Sequence, residues 1–577
     1  MMATTKQCKQ YSQNFTITDD DLAFLDKISP EFSGKKYQIP LPTLCPTCRN
    51  IRRLSFRNDF SIYRDKSSLS GEKILSIYSP DKKFPVYSFE EWWSDKWDAL
   101  QFGREYNPHK KFFDQYIDLF SKVPRLNLHV DKSCEDCDFT SQIFNCRQCY
   151  LTNPAIDSEK CMYGYRLIRV KDTLDGLYII NCELCYECID CNNCYNCQYI
   201  QDCSDCQDSS FLFNYNNCTN CIMCQGLRNK AYYYKNKKVP SEEFEKIKKQ
   251  IQDAGRKKRD ELMDEFSDFR KDFPVRFAEL IQTENVTGHN VKNAKNCHYL
   301  FDAENAENCS YGINVNDAKD CFDTIFAAAN TQLHLEVIST GVNAYNILFS
   351  TDTWPNVTNL IYCDNCSSSK DCFGCTGLKH KQHCVLNKQY GKVEYEKLVG
   401  QIIEKMIEDH EWGEFFPSSI SPFGYNETTA MRYFPFTREE ALRLEMNWQD
   451  KSYDIEYTSE FYEPLDKIEE YRDPVEQEKL LSGVIKCEAS GRPFKILPKE
   501  LAFYIENKIP IPTKHYKVRN EERFARRTPR KLWDRQCMCE ESGHDHSGRC
   551  KNEFKTTYSP DRTELVYCER CYQKEII

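Results

Sequence analysis

The sequence predicts a mainly β protein: two narrow parallel β-solenoid arrays with a 12-residue rung and capping helices, flanked by zinc-ribbon-like terminal modules. Three observations carry this. Cysteines between Cys134 and Cys224 fall into columns twelve residues apart; the spacing returns at Cys297, Cys309 and Cys321; and the last hundred residues repeat motifs of the first hundred. A fixed short period marks a repeat architecture, in which each unit buries its face against its neighbours.

One column runs from Cys137 through Cys149 and Cys161 to Cys221, and a second from Cys134 through Cys146 to Cys218. Thr173, Ser209, Ser158 and Val170 occupy the steps where cysteine is missing. A third column, Asn145, Asp157, Asn181, Asn193, Asp205 and Asn217, precedes the second by one residue. Twelve extended residues make a turn about 40 Å round, which encloses a single layer of small side chains. Cysteine packs there as a small hydrophobe, and Asn and Asp suit tight left-handed corners.

With 577 residues, the chain is long enough for about three or four folding units. Apolar residues at 40% and charged residues at 29% describe a globular chain rather than a disordered one. No apolar run approaches the ~18 residues of a membrane span. Met1 to Phe15 lacks the apolar core of a secretory signal, so the expected location is cytoplasmic. A net charge of −10 gives no global reason to expect nucleic acid. For the 33 cysteines, that location ranks buried reduced thiols first, metal second and disulfides third.

The first module spans 1–130. Cys8 and Tyr11 are followed by Phe15-Thr-Ile17, a short acidic helix from Asp19, then Cys45-Pro-Thr-Cys48 with Arg49, Arg52 and Arg53. This resembles a bacterial zinc-ribbon module. Tyr11 stands where a fourth thiolate belongs, which leaves Cys8, Cys45 and Cys48 an incomplete, degenerate metal set. Tyr78-Ser-Pro-Asp81 to Val86-Tyr87 reads as strand–turn–strand, Trp92, Trp93 and Trp97 as a packed module interface, and Lys110 to Phe120 as an amphipathic helix.

The first array and its helix, begun at Pro240-Ser241, fill 131–284. The second fills 285–411, with a slip of register between Cys321 and Cys363 that calls for apolar rungs, and a helix over Val393 to Ile407. Residues 412–486 are an aromatic connector, with helices starting at Thr437 and Asp473-Pro474. In the last module, 487–577, Cys487, Phe494, Ile496 and Phe503 repeat Cys8, Phe15, Ile17 and Phe24, and Tyr558 to Tyr567 repeats Tyr78 to Tyr87.

Taken with Trp92-Trp-Ser-Asp-Lys-Trp97 and Tyr567-Cys-Glu-Arg-Cys-Tyr572, the chain resembles cysteine-rich repeat proteins of candidate-phyla bacteria with terminal zinc-ribbon-like modules. That resemblance spans nearly the full length; it implies the architecture and no particular activity.

The specific metal signal is C-terminal. Cys539, Cys550, Cys568 and Cys571 are the expected ligands, with Cys537 or His546 as substitutes in the first pair. Two thiolate pairs on facing hairpins meet the tetrahedral demand of one structural zinc. No P-loop, GxGxxG, HExxH or GxSxG is present. Asp190, Asp202, Asp205 and Asp208 read as turn caps, and His380 and His383 beside Cys384 as a surface cluster. The reading that follows is a non-catalytic zinc-binding scaffold with a protein partner. A nucleic-acid-binding protein using the terminal arginines, a polymer-acting enzyme on the solenoid face, and a metal buffer are its alternatives.

Overall fold

The computed structural model describes residues 3–453 and 456–576. Two long parallel sheets dominate, one of ten strands between Ile143 and Lys238 and one of eight between Leu280 and Gln389. In the first sheet the parallel pairs are twelve residues apart, as in Tyr165↔Leu177↔Ile189↔Gln201, and an antiparallel pair, Tyr233↔Lys238, ends it. The second starts the same way, with Phe301↔Ile313. It then takes three 13-residue steps, Ala318↔Thr331↔Ala344↔Val357, and returns to twelve at Thr358↔Lys370↔Gln382. Those steps are the slip of register. Cys321 is followed in its column by His334, Ile347 and Leu360, all fully buried. Two of the three are the apolar rungs that the sequence calls for.

A finer period lies inside the twelve. Every third residue from Cys182 to Cys206 is at most 2% exposed. The residue before each of them, from Asn181 to Asp205, has φ between 51° and 56°. Each 12-residue turn thus carries four left-handed corners and four inward side chains. Left-handed backbone costs most residues roughly 1–2 kcal/mol and Asn or Asp least, which explains the Asn/Asp column. Its members also bond along the stack: Asn181 Nδ2 donates to Asn193 Oδ1 at 2.9 Å, and Asn193 Nδ2 to Asp205 Oδ1 at 3.0 Å.

The inward cysteines do more than fill space. Cys182 Sγ donates to Ile180 O at 3.3 Å and lies 3.7 Å from Cys191 O, and the same two-carbonyl pattern recurs at Cys185, Cys188 and Cys194. Thr173 and Ser209 make the shorter of these bonds with hydroxyls. A small side chain with one donor is therefore what the position takes, and none of the 33 cysteines is paired in a disulfide.

Helices follow both arrays. Ser241–Gln252 starts after Pro240, which is its N-cap, and buries Phe244 against Tyr232. A further helix, Arg256–Arg270, succeeds it. Lys392–Glu408 buries Tyr395, Val399, Ile402, Ile403 and Met406 against the end of the second array. No helix among the described residues is long and apolar enough to cross a membrane.

The terminal modules cross over. The helix Pro46–Leu54 of the first module docks on the second array, and the matching helix Tyr516–Arg526 of the last module docks on the first. The hairpin strands do the reverse. Val86–Tyr87 pairs with Arg125–Leu126 at the entry to the first array, and Val566–Tyr567 with Val275–Arg276 at the entry to the second. Trp92 and Trp93 pack on Trp354 of the second array, an interface as their sequence suggested.

Candidate metal centre

In the last module, Trp533–Gln536 pairs antiparallel with Glu553–Thr556. Cys537 continues that ladder, its N–H donating to Asn552 O at 2.9 Å, and Cys550 N–H donates to Cys539 O at 2.9 Å. Cys568 and Cys571 come where Val566–Tyr567 runs into the helix Glu569–Ile576. The Sγ atoms of Cys537, Cys550, Cys568 and Cys571 lie within 4.8 Å of one another, all buried. Cys550 and Cys568 are 4.0 Å apart. A zinc–sulfur distance of about 2.3 Å makes a tetrahedral edge of about 3.8 Å, so the spacing suits one ion.

Donors to sulfur already surround the group. Cys568 N–H donates to Cys537 Sγ at 3.2 Å, and Asn552 Nδ2 to Cys568 Sγ at 3.3 Å. Burial opposes ionisation of Cys568, but the bond from Asn552 and those from its neighbours outweigh it and bring the thiol down to about 7. Burial holds Cys537 up at about 11. Several thiols packed together lose their protons readily only when a cation shares the volume.

The expected set had Cys539 in place of Cys537. Residues 537 and 539 have the same strand parity, so spacing does not choose between them; the hairpin does. Cys539 instead lies with His544, His546 and Cys571, four ligand atoms within 4.8 Å. In the first module Cys8, Cys45 and Cys48 also converge, with Cys45 and Cys48 sulfurs 3.4 Å apart and Cys8 and Cys48 3.6 Å apart. The duplicate of that corner keeps its backbone with one sulfur: His515 N–H donates to Cys487 Sγ at 3.2 Å, as Cys45 N–H does to Cys8 Sγ at 3.3 Å. No protein-family model matches the chain, and no curated protein is significantly similar to it.

The repeat of Tyr78 to Tyr87 in Tyr558 to Tyr567 already sets Ser88 and Glu91 opposite Cys568 and Cys571; the structure completes the counterpart of the four-thiol group. The first module's hairpin, Tyr63–Lys66 with Lys73–Ser76, superposes its register on Trp533–Gln536 with Glu553–Thr556. Ser67, Ser70, Ser88 and Glu91 then fall at the positions of Cys537, Cys550, Cys568 and Cys571. Ser67 Oγ donates to Glu91, Ser88 N–H donates to Glu91 Oε2 at 2.9 Å, and Leu69 N–H donates to Ser67 Oγ at 3.1 Å. Burial pushes the Glu91 carboxyl up, but bonds from Ser67, Ser70 and Ser88 bring it net below its ordinary value. One copy closes the hairpin with a carboxylate knot and the other with four thiols.

The arginines take partners inside the chain. Arg53 pairs with Asp323 and Glu336, and Arg49 with Asp323 at 2.9 Å. Arg519 and Arg523 pair with Asp175, Arg523 and Arg526 with Glu187, and Arg527 with Asp190 at 2.6 Å. Asp190 thus holds a docking arginine as well as a corner, with φ of 51°. His383 faces Asp371 at 3.6 Å and belongs to no metal-competent group among the described residues. A cleft of about 970 Å³ lies where the first module, the first array, the connector and the last module meet, lined by Phe60, Asn153, Arg432, Tyr433, Asn520 and Phe524.

Proposed function

We propose that the chain is a non-catalytic, cytoplasmic scaffold: two narrow β-solenoids locked by zinc-ribbon-like terminal modules, the last of which holds a structural zinc. The convergence of Cys537, Cys550, Cys568 and Cys571 carries this reading. Four thiolates complete a tetrahedron and leave no position for water, which suits structure rather than catalysis. The Asn/Asp ladders along the arrays offer a regular polar edge to a protein partner. The protein-partner reading is favoured over the nucleic-acid one because Arg523 and Arg527, among the terminal arginines, already pair with carboxylates of the chain.

The test is elemental analysis of anaerobically purified full-length protein, wild type against Cys568→Ser. Zinc in the wild type that falls by at least one equivalent in the variant, with faster amide exchange over 533–576, is expected. Equal zinc in both overturns the reading.

A further inference from the structure

The two hairpin copies differ in one large way. Residues 67–72 join the strands of the first, and residues 537–552 join those of the second, ten residues longer. The added loop brings His544 and His546, and Cys539 stands at its base. A surface insertion with no task leaves such side chains in solvent. Here His544 and Cys539 turn inward, the His544 side chain 8% exposed and Cys539 fully buried, and His546 is half-buried.

Their orientation is that of ligands. His544 Nδ1 lies 2.9 Å from Cys539 Sγ, while its Nε2 faces Glu575 Oε2 at 3.9 Å. His546 Nε2 lies 3.4 Å from Cys571 Sγ, while its Nδ1 lies 2.7 Å from Gly548 O. A carbonyl oxygen only accepts, so Nδ1 of His546 carries the proton and Nε2 presents its lone pair toward sulfur. Metal-bound histidines are held in this manner, one nitrogen on the ion and the other on a carbonyl or carboxylate. A zinc bound by sulfur and nitrogen sets an S···N edge of about 3.6 Å from its usual bond lengths. The Cys571–His546 separation matches this, and the Cys539–His544 contact is shorter, as a direct hydrogen bond would be.

We propose that the C-terminal module binds two zinc ions, the second on Cys539, His544, His546 and Cys571, with the Cys571 thiolate bridging both. This rests on the four-thiolate reading, since Cys571 is common to the two groups. Five thiolates and two neutral imidazoles around two dications leave a net charge of −1, against −2 for a lone four-thiolate zinc. Sharing a sulfur thus lowers the charge the small module must carry.

The experiment uses the full chain, loaded with zinc for elemental analysis and with ¹¹³Cd for one-dimensional NMR. The expected result is one fewer metal per chain in His544→Ala/His546→Ala than in the wild type, and the loss of one ¹¹³Cd resonance. In the wild type that resonance and a four-thiolate resonance are split by each other through the Cys571 sulfur. His544→Cys/His546→Cys, which keeps four ligands, retains both ions even if the alanine variant unfolds locally. Equal metal content in the wild type and the alanine variant overturns the second site and leaves the four-thiolate site standing. Two unsplit resonances overturn the bridge. Metal unchanged in Cys568→Ser instead removes the four-thiolate reading on which the proposal rests.

Discussion

Arg53 Nη2 donates to Asp323 Oδ1 at 3.0 Å, joining a helix near the start of the chain to an array that begins more than two hundred residues later. Arg523 Nη2 forms the equivalent ion pair with Asp175 Oδ1 at 2.7 Å, with both side chains fully buried. The two ion pairs belong to duplicated helices on duplicated arrays, and each helix docks on the array farther from it in sequence. The termini are thereby tied across the molecule.

Breaking such a pair deprives a buried carboxylate of one of its cations, although Arg519 stays on Asp175 and Arg526 on Glu187. Arg523→Met leaves Asp175 and Glu187 short of a partner and is expected to destabilise by about 3–5 kcal/mol, whereas Arg526→Met, on the partly exposed rim, costs about 1 kcal/mol or less. Urea denaturation of the two variants checks the ranking. Equal losses would show that burial does not govern these pairs.

The carboxylate knot of the first module occupies the register positions of the four thiols. Ser67→Cys/Ser70→Cys/Ser88→Cys/Glu91→Cys installs two CxxC pairs on facing turns, and such a set binds one zinc tetrahedrally. One additional zinc per chain is the expected outcome, read by elemental analysis. No gain in a folded variant would mean that the hairpins differ in more than their side chains.

At the corners, conformation sets the cost. Asn193 has φ of 54° and is exposed, so Asn193→Ala is expected to lose roughly 1–2 kcal/mol. Asn193→Gly should lose less and Asn193→Val more, because glycine is at ease in that region and β-branching is not. Thermal or urea stability of the three variants tests the order.

His334 sits in the inward column, fully buried, with Nε2 3.3 Å from Ala344 O. Burial lowers it from 6.5 to about 4. A depressed folded value means the unfolded chain binds more protons between those limits, so this contribution is present above pH 6.5 and lost as pH falls toward 4. His334→Leu should flatten the fall of stability across that window. His129 and His289, both lowered to about 4 by burial, add to the same fall. An unchanged slope in urea titrations at pH 6.5 and 4.5 would exclude His334 as its source.

Much of this chain is legible without coordinates because its strongest signals are local or periodic. Side chains stacked on a parallel ladder must recur at the ladder's own spacing, so the columns of cysteine and Asn/Asp announced the 12-residue register before any contact was known. The duplication of the termini was readable for the same reason, and Cys550, Cys568 and Cys571 stand where spacing put them, in one buried cluster. Three matters were decided only by the tertiary structure. The slip of register between Cys321 and Cys363 shows in the sequence, but its form does not: with His334, Ile347 and Leu360 in the place of cysteine, no repeated residue marks three 13-residue steps. The exchange of Cys539 for Cys537 depends on hairpin geometry, since strand parity is the same for both. The fate of the arginines depends on which surfaces meet: Arg53 and Arg523 read as a charged helix face until the carboxylates of a distant array close over them. Period and composition fix what a segment presents, and only the approach of distant segments determines what it meets.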